Sequence, residues 1–243
     1  MKARTAAWIL IGATAVAIAA VMFGRQLNVH TPHVDIDPAV YPVRGIDISA
    51  HNGAVDFDSV AADGISFIYI KASEGATWRD ARFEDNYRAA RRAGLAVGAY
   101  HFFRFDVAGW KQGLNLLSTL RGADLDLPVA IDIEESGNPT EYSTDEIIEN
   151  VADMISLLDR AGRPAIIYTN KNGYVRFVRN HFDDVPLWIC SFTDPPIPER
   201  GRWTVWQHSH MGRVSGVAGP VDLNTVNTPA SKSPFLNPGH CLR

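Results

Sequence analysis

Short β-branched runs alternate with amphipathic segments from Val43 to about Thr169, and this alternation constrains the fold more than any other feature of the sequence. Val43 to Ser49 and Ile65 to Lys71 read as strands. Phe83, Tyr87 and Ala90 recur at helical spacing, Gly94 is placed as a C-cap, and Leu95 to Phe102 reads as the next strand. Trp110 to Leu120 predicts a second helix. Leu127 to Glu134 predicts a strand with Pro128 at its start, where a missing N–H is tolerated. Ser143 to Glu146 forms a capping-box pattern. The helix it opens has apolar positions Ile147, Ile148, Val151, Met154, Ile155 and Leu158, and stops at Gly162 with Pro164 beyond. Ala165 to Thr169 resumes as a strand. After Leu187 to Ser191, the segments Trp203 to His208 and Gly219 to Asn224 follow with little room for helices. Repeated strand, helix, strand units favour an α/β parallel sheet or barrel with helices outside, closed by strands from the last third.

The start of the chain is of another kind. Lys2 and Arg4 precede an apolar or small-residue stretch from Ala6 to Gly24, Arg25 closes it, and no acid occurs before Asp35. Residues 1–24 therefore read as a signal peptide or an N-terminal membrane anchor. Either form implies export, to the periplasm or the cell exterior, with residues 6–24 meeting the membrane if they are retained. Residues 25–42 carry Pro32, Pro38 and Pro42 without periodicity and read as a linker. Residues 43–228 remain for one domain, and 229–243 form a C-terminal tail. A net charge of -4 with no Lys/Arg-rich run argues against nucleic acid as a partner. Cys190 and Cys241 are too few for a disulfide framework and lack zinc-ligand spacing; they are either a disulfide tying the tail to the domain or two free thiols.

Acidic residues mark the strands. In Val129 to Glu134 the apolar Val129, Ile131 and Ile133 alternate with Ala130, Asp132 and Glu134, so two carboxylates share one face about 6.6 Å apart along the strand. Like charges that close raise one another's pKa and suit general acid/base work on a glycosidic bond. Taken alone, the pattern is also that of a solvated acidic strand end. Asp47, between Ile46 and Ile48, and Asp222, between Val221 and Leu223, repeat the arrangement at the two ends of the domain. A barrel makes its first and last strands neighbours, which would bring all four acids to one site.

An ordered set of segments then resembles the glycoside hydrolase family 25 lysozymes, the Chalaropsis-type N-acetylmuramidases. They are Arg44 to Ser49, Ile70 to Gly75, Gly98 to Phe102, Ile131 to Glu134, Ile167 to Thr169, Leu187 to Ile189, Trp206-Gln207 and Val221 to Asn224. The resemblance implies an irregular TIM-like barrel, (β/α)5(β)3. It also implies cleavage of the β-1,4 bond between N-acetylmuramic acid and N-acetylglucosamine in peptidoglycan glycan strands. No cofactor or metal is implied, and a monomer is assumed. Carried over by position, Glu134 is the general acid and then base. Asp132 orients the sugar's own 2-acetamido group as internal nucleophile, and Asp47 and Asp222 line the cleft. Tyr100, Tyr168, Trp188, Trp206 and Gln207 are the implied substrate-binding residues.

The same positions show departures and competing readings. Cys190-Ser191-Phe192 stands where family members often have Ala and then a Tyr, and Phe57 stands where Trp is frequent. Lys71 and Glu74 suit an ion pair as well as a sugar contact, and His101 reads as a core histidine. His208 and His210 have spacing that puts two imidazoles on one strand face, without a further metal ligand in view. Two other functions are alternatives. A catalytically silent peptidoglycan-binding protein would be marked by a lost acid, and all four are present. A metal-dependent polysaccharide deacetylase would need paired histidines beside an Asp, and Asp47 with His51 has no convincing partner.

Overall fold

The computed structural model describes residues 32–197 and 202–227. The sheet is built from β1 (Arg44–Ile48), β2 (Ile65–Glu74), β3 (Trp78–Arg79), β4 (Ala96–Phe102), β5 (Val129–Asp132), β6 (Ala165–Asn170), β7 (Leu187–Cys190), β8 (Val205–Gly212) and β9 (Val221–Val226). β1 pairs in parallel with β2 and antiparallel with β9, so the sheet closes on itself. The order round the barrel is β1-β9-β8-β7-β6-β5-β4-β2, and β3 folds back on β2 as a hairpin. β2 and β4 to β8 run parallel to one another, while β9 is antiparallel to both its neighbours. The expected α/β barrel is what the chain forms.

Helical segments Phe57–Ala62, Phe83–Arg92, Gly109–Thr119, Thr144–Arg160 and Lys171–Gly173 lie between successive strands of the first two thirds. Ser143 caps the fourth through the expected box, accepting from the Glu146 N–H while the Glu146 side chain takes the Ser143 N–H. Its buried stripe is Ile147, Val151, Met154 and Leu158; Ile148 and Ile155 lie at the margin, only partly buried. Gly94 and Gly162, at φ of 81° and 69°, take the left-handed conformation that ends their helices. The helix Phe57–Ala62 was not legible, because six residues give too little period; its signal is Asp56, which accepts from the Ser59 N–H.

Strand alternation divides two apolar layers. On β2, Ile68, Ile70 and Ala72 face the helices while Phe67 and Tyr69 enter the barrel; on β7, Leu187 and Ile189 face out while Trp188 and Cys190 face in. The inner layer is dominated by rings, and Tyr69 stacks on Trp188 with centroids 4.5 Å apart. Such volume fits only where opposing strands carry no side chain. A Cβ at Gly45 would lie 2.2 Å from the Phe67 ring, and one at Gly98 would lie 2.4 Å from the Tyr69 ring. The rings fill the barrel from below and leave room only at the carboxyl ends of the parallel strands.

The expected linker is partly corrected. From His33 onward it belongs to the barrel: the Val34 N–H donates to the His208 carbonyl at 2.9 Å, and Val34, Ile36 and Tyr41 pack on the core. These apolar side chains cover the outer face of β8, which a free linker would leave in water. Residues 1–24, the rest of the linker to residue 31, the tail 229–243 and Cys241 lie outside the described residues. No helix among the described residues is long and apolar enough to cross a membrane.

Gly98→Ala forces the Tyr69 ring or β4 to move and is expected to destabilise the fold by roughly 1–3 kcal/mol. Urea unfolding checks this, and an unchanged midpoint would mean that the ring has slack.

Candidate active site

A cavity of about 210 Å³ opens at the carboxyl end of the barrel and is lined by Asp47, Tyr100, Asp132, Glu134, Tyr168, Trp188, Gln207, His210 and Asp222. All four expected acids and four of the five expected substrate-binding residues face it. Asp47 and Asp222 arrive from opposite ends of the domain because β1 and β9 pair in the register that sets them directly opposite.

Asp47 is the most heavily partnered acid. Its Oδ2 accepts from Gln207 Nε2 at 2.9 Å and from Asn224 Nδ2 at 2.7 Å. Each amide is itself oriented. Trp188 Nε1 donates to Asn224 Oδ1 at 2.8 Å, and the Tyr168 hydroxyl donates to Gln207 Oε1 at 2.8 Å, with His210 Nε2 also 2.9 Å from that oxygen. Burial, and then the charge of Asp222, nevertheless raise Asp47 to about 7, while burial raises Asp222 to about 6. The two cannot both carry a charge cheaply in so dry a place.

Asp132 and Glu134 stand at the end of β5. The strand itself ends at Asp132, and the chain continues extended because the Ile133 N–H donates to the Tyr168 carbonyl and Thr169 Oγ1 donates to the Ile133 carbonyl. Asn138 then fixes Glu134, its Nδ2 donating to the carbonyls of both Glu134 and Phe103 at 2.9 Å, while its Oδ1 accepts from the Phe105 N–H. Asn138 carried no signal in the sequence, since its role is loop geometry alone. Burial, then the neighbouring Glu134, hold Asp132 well above the usual carboxylate range, and burial followed by Asp47 raises Glu134. Asp132 Oδ1 is buried without a hydrogen-bond partner. An acceptor left so is costly unless a ligand supplies the donor.

The rings divide by role. Tyr100 presents its phenol to the cavity, and burial keeps that hydroxyl neutral. Trp188 is the floor, 2% exposed between Tyr69 and Tyr168. Trp206 does not belong to the site: it is fully buried on the outer face of β8, its Nε1 donates to the Ser191 carbonyl, and Tyr41 and Trp203 pack edge-on against it. Alternation decides this, because Gln207 faces in and its neighbour must face out. The shared face expected for His208 and His210 is also absent. The register of β8 shifts after Gln207, which lets His210 join Gln207 in the cavity while His208 faces away from it and donates through Nδ1 to the Val34 carbonyl at 3.0 Å. His210 was missed as a site residue because a bulge is invisible to strict alternation.

Other neighbours are structural. His101 is buried between Ser73 Oγ at 2.8 Å and Gln112 Oε1 at 3.1 Å, and burial lowers it to about 4. Lys71 forms an ion pair with Glu74 at 2.9 Å beneath the rings of Trp78 and Phe102, and its charge partly offsets the upward shift of Asp132. Cys190 is a buried thiol with Sγ 3.5 Å from His210 Nε2, and burial pushes it up to about 12. Phe192, in place of the family's frequent Tyr, packs edge-on against His210 at 4.9 Å. Among the described residues no group of three His, Cys, Asp or Glu could hold a metal ion.

A closed barrel with paired carboxylates at its mouth defines a glycosidase-type site. The family model for glycosyl hydrolases family 25 matches residues 46–217. Lysozyme M1 of Streptomyces globisporus is 34% identical over 206 residues, covering 78% of this chain and 69% of its own length. The uncharacterized protein YegX of Escherichia coli O6:H1 is also 34% identical, over 197 residues that cover 78% of this chain and 71% of that protein. A family 25 glycosyl hydrolase structure from Bacillus anthracis superposes with a TM-score of 0.75 at 27% identity, covering 84% of this chain and 97% of the other. The chain belongs to glycosyl hydrolase family 25.

The buried acids make stability depend on pH. Aspartates titrate near 4 when unfolded. With Asp47 raised to about 7 and Asp222 to about 6, the folded state holds more protons than the unfolded state across that window. Stability therefore falls as pH rises from about 4 to about 7. Asp47→Asn removes the larger contribution and is expected to add roughly 2–4 kcal/mol at pH 8 and little at pH 4. Denaturation at both pH values checks it, and an equal change at the two would contradict the assignment.

Proposed function

We propose that the chain is a muramidase that hydrolyses the β-1,4 bond between N-acetylmuramic acid and N-acetylglucosamine by substrate-assisted catalysis. The observation that carries this reading is the unpartnered Asp132 Oδ1 beside Glu134 in one closed-bottomed cavity. A sugar 2-acetamido N–H supplies the donor that this oxygen lacks, and the new hydrogen bond favours the charged carboxylate. So held, the acetamido carbonyl oxygen attacks C1 as the glycosidic bond breaks. Glu134, whose pKa is raised by burial and then by Asp47, gives its proton to the leaving oxygen. The deprotonated Glu134 then takes a proton from water, which attacks C1, breaks the bond from C1 to the acetamido oxygen so that the oxazolinium ring reopens, and leaves the anomeric configuration retained.

Asp47 and Asp222 share the remaining negative charge across the cavity from this pair and stabilise positive charge developing at the sugar. Tyr100 and Tyr168 suit contact with the acetamido group, since each offers a neutral hydroxyl at the wall. The basic and apolar start of the chain supports action outside the cytoplasm, either as an exported protein or held at the membrane by residues 6–24. That is where the polymer lies.

Digestion of purified peptidoglycan, followed by borohydride reduction and mass spectrometry, tests the reading. The native chain is expected to release fragments with muramic acid at the reducing end, and Glu134→Gln to slow release about 10²- to 10⁴-fold. Reducing-end N-acetylglucosamine would contradict the bond specificity, and no release at all would contradict the activity.

A further inference from the structure

A second, shallower groove of about 550 Å³ lies between the β2–β3 hairpin and the helix Gly109–Thr119. Thr77 and Arg79 line one side; Trp110, Lys111, Leu114 and Ser118 line the other. Trp110 and Leu114, one helical turn apart, are each 50% exposed, so an indole and an isobutyl group share one wetted face. Lys111 holds its ammonium 5.5 Å from the Trp110 ring centroid. The groove is also rigid. Asn115, buried beneath it, donates to the carbonyls of Gly75 and Trp78 at 3.0 Å and accepts from Arg79 Nε, while an Arg79 terminal nitrogen donates to Ser118 Oγ at 2.9 Å.

Two features say what this surface takes. Its lining holds two cations and no acid in a chain whose net charge is -4, so it complements a ligand carrying carboxylates. An exposed indole beside hydroxyls and fixed cations suits a saccharide, whose apolar ring face stacks while its substituents find polar partners. The groove shares no lining residue with the catalytic cavity, and the hairpin that forms one of its walls lies beside Lys71. Trp78, between Thr77 and Arg79, has its ring 4.8 Å from Lys71 Nζ, and the Lys71 charge reaches Asp132.

We propose that this groove is a second binding site for peptidoglycan outside the catalytic cavity. A sugar ring of a stem-bearing glycan stretch lies on Trp110 and Leu114, and the stem carboxylates face Lys111 and Arg79. The identity of the polymer rests on the muramidase reading. The site would hold the enzyme on an insoluble wall between cleavages.

The test measures binding rather than turnover. Full-length protein carrying Glu134→Gln is sedimented with purified sacculi, alone and combined with Trp110→Ala or with Lys111→Glu. Each added substitution is expected to weaken binding about five- to tenfold, because a stacking or charge contact is lost. Both side chains lie at the surface, so the thermal midpoint is expected to hold, which separates a lost contact from a lost fold. Unchanged sedimentation in both variants overturns the proposal, as does a Trp110-dependent association seen only with anionic lipid vesicles. Missing hydrolytic products from the native chain would count against the muramidase reading, while this comparison, which needs no catalysis, would still decide the groove.

Discussion

Closure of the barrel by β1 against both β2 and β9 is the constraint on which the site depends. That seam sets Asp47 opposite Asp222, residues separated by most of the domain, and brings Gln207 and Asn224 within reach of Asp47. The seam is polar by necessity. Acids at the mouth of a narrow barrel lose water, and only amide donors held by their own partners let one of them keep a charge. Trp188 links this network to the core, because its ring packs on Tyr69 while its N–H fixes Asn224. Packing below the cavity and charge within it are thus tied through one side chain.

The consequence is a site that works against the stability of its fold. Asp47, Asp132, Glu134 and Asp222 are all raised by burial, and their mutual repulsion adds to the effect. Apolar residues at these positions would make a more stable barrel. Retaining the acids makes sense for a reaction that needs one protonated and one charged carboxyl in the same cavity near neutral pH, since an exposed pair would be charged at both positions and have no proton to give.

Much of this was legible in the sequence because period and position carried it. Apolar neighbours on both sides of Asp47, Asp132 and Asp222 announced side chains facing away from the helical layer, and the structure puts all three in the cavity with Glu134. The same rule places Trp206 outside the cavity, because its neighbour Gln207 faces in and adjacent strand residues point to opposite faces. His210 escaped because the β8 bulge resets the alternation, and Asn138 because loop hydrogen bonds leave no periodic trace. The docking of Val34 to Tyr41 on β8 was hidden by three prolines that read as a linker, although its apolar side chains needed a surface to cover.

The most direct measurement of the central claim is a side-chain carboxyl 13C NMR titration of the native protein, with the four resonances assigned through single Asn or Gln variants. The account predicts that Asp47 titrates near 7 and Asp222 near 6, with Asp132 and Glu134 above their ordinary values. Four ordinary midpoints near 4 would contradict it, and would mean that water reaches the cavity and that the barrel mouth does not tune its acids.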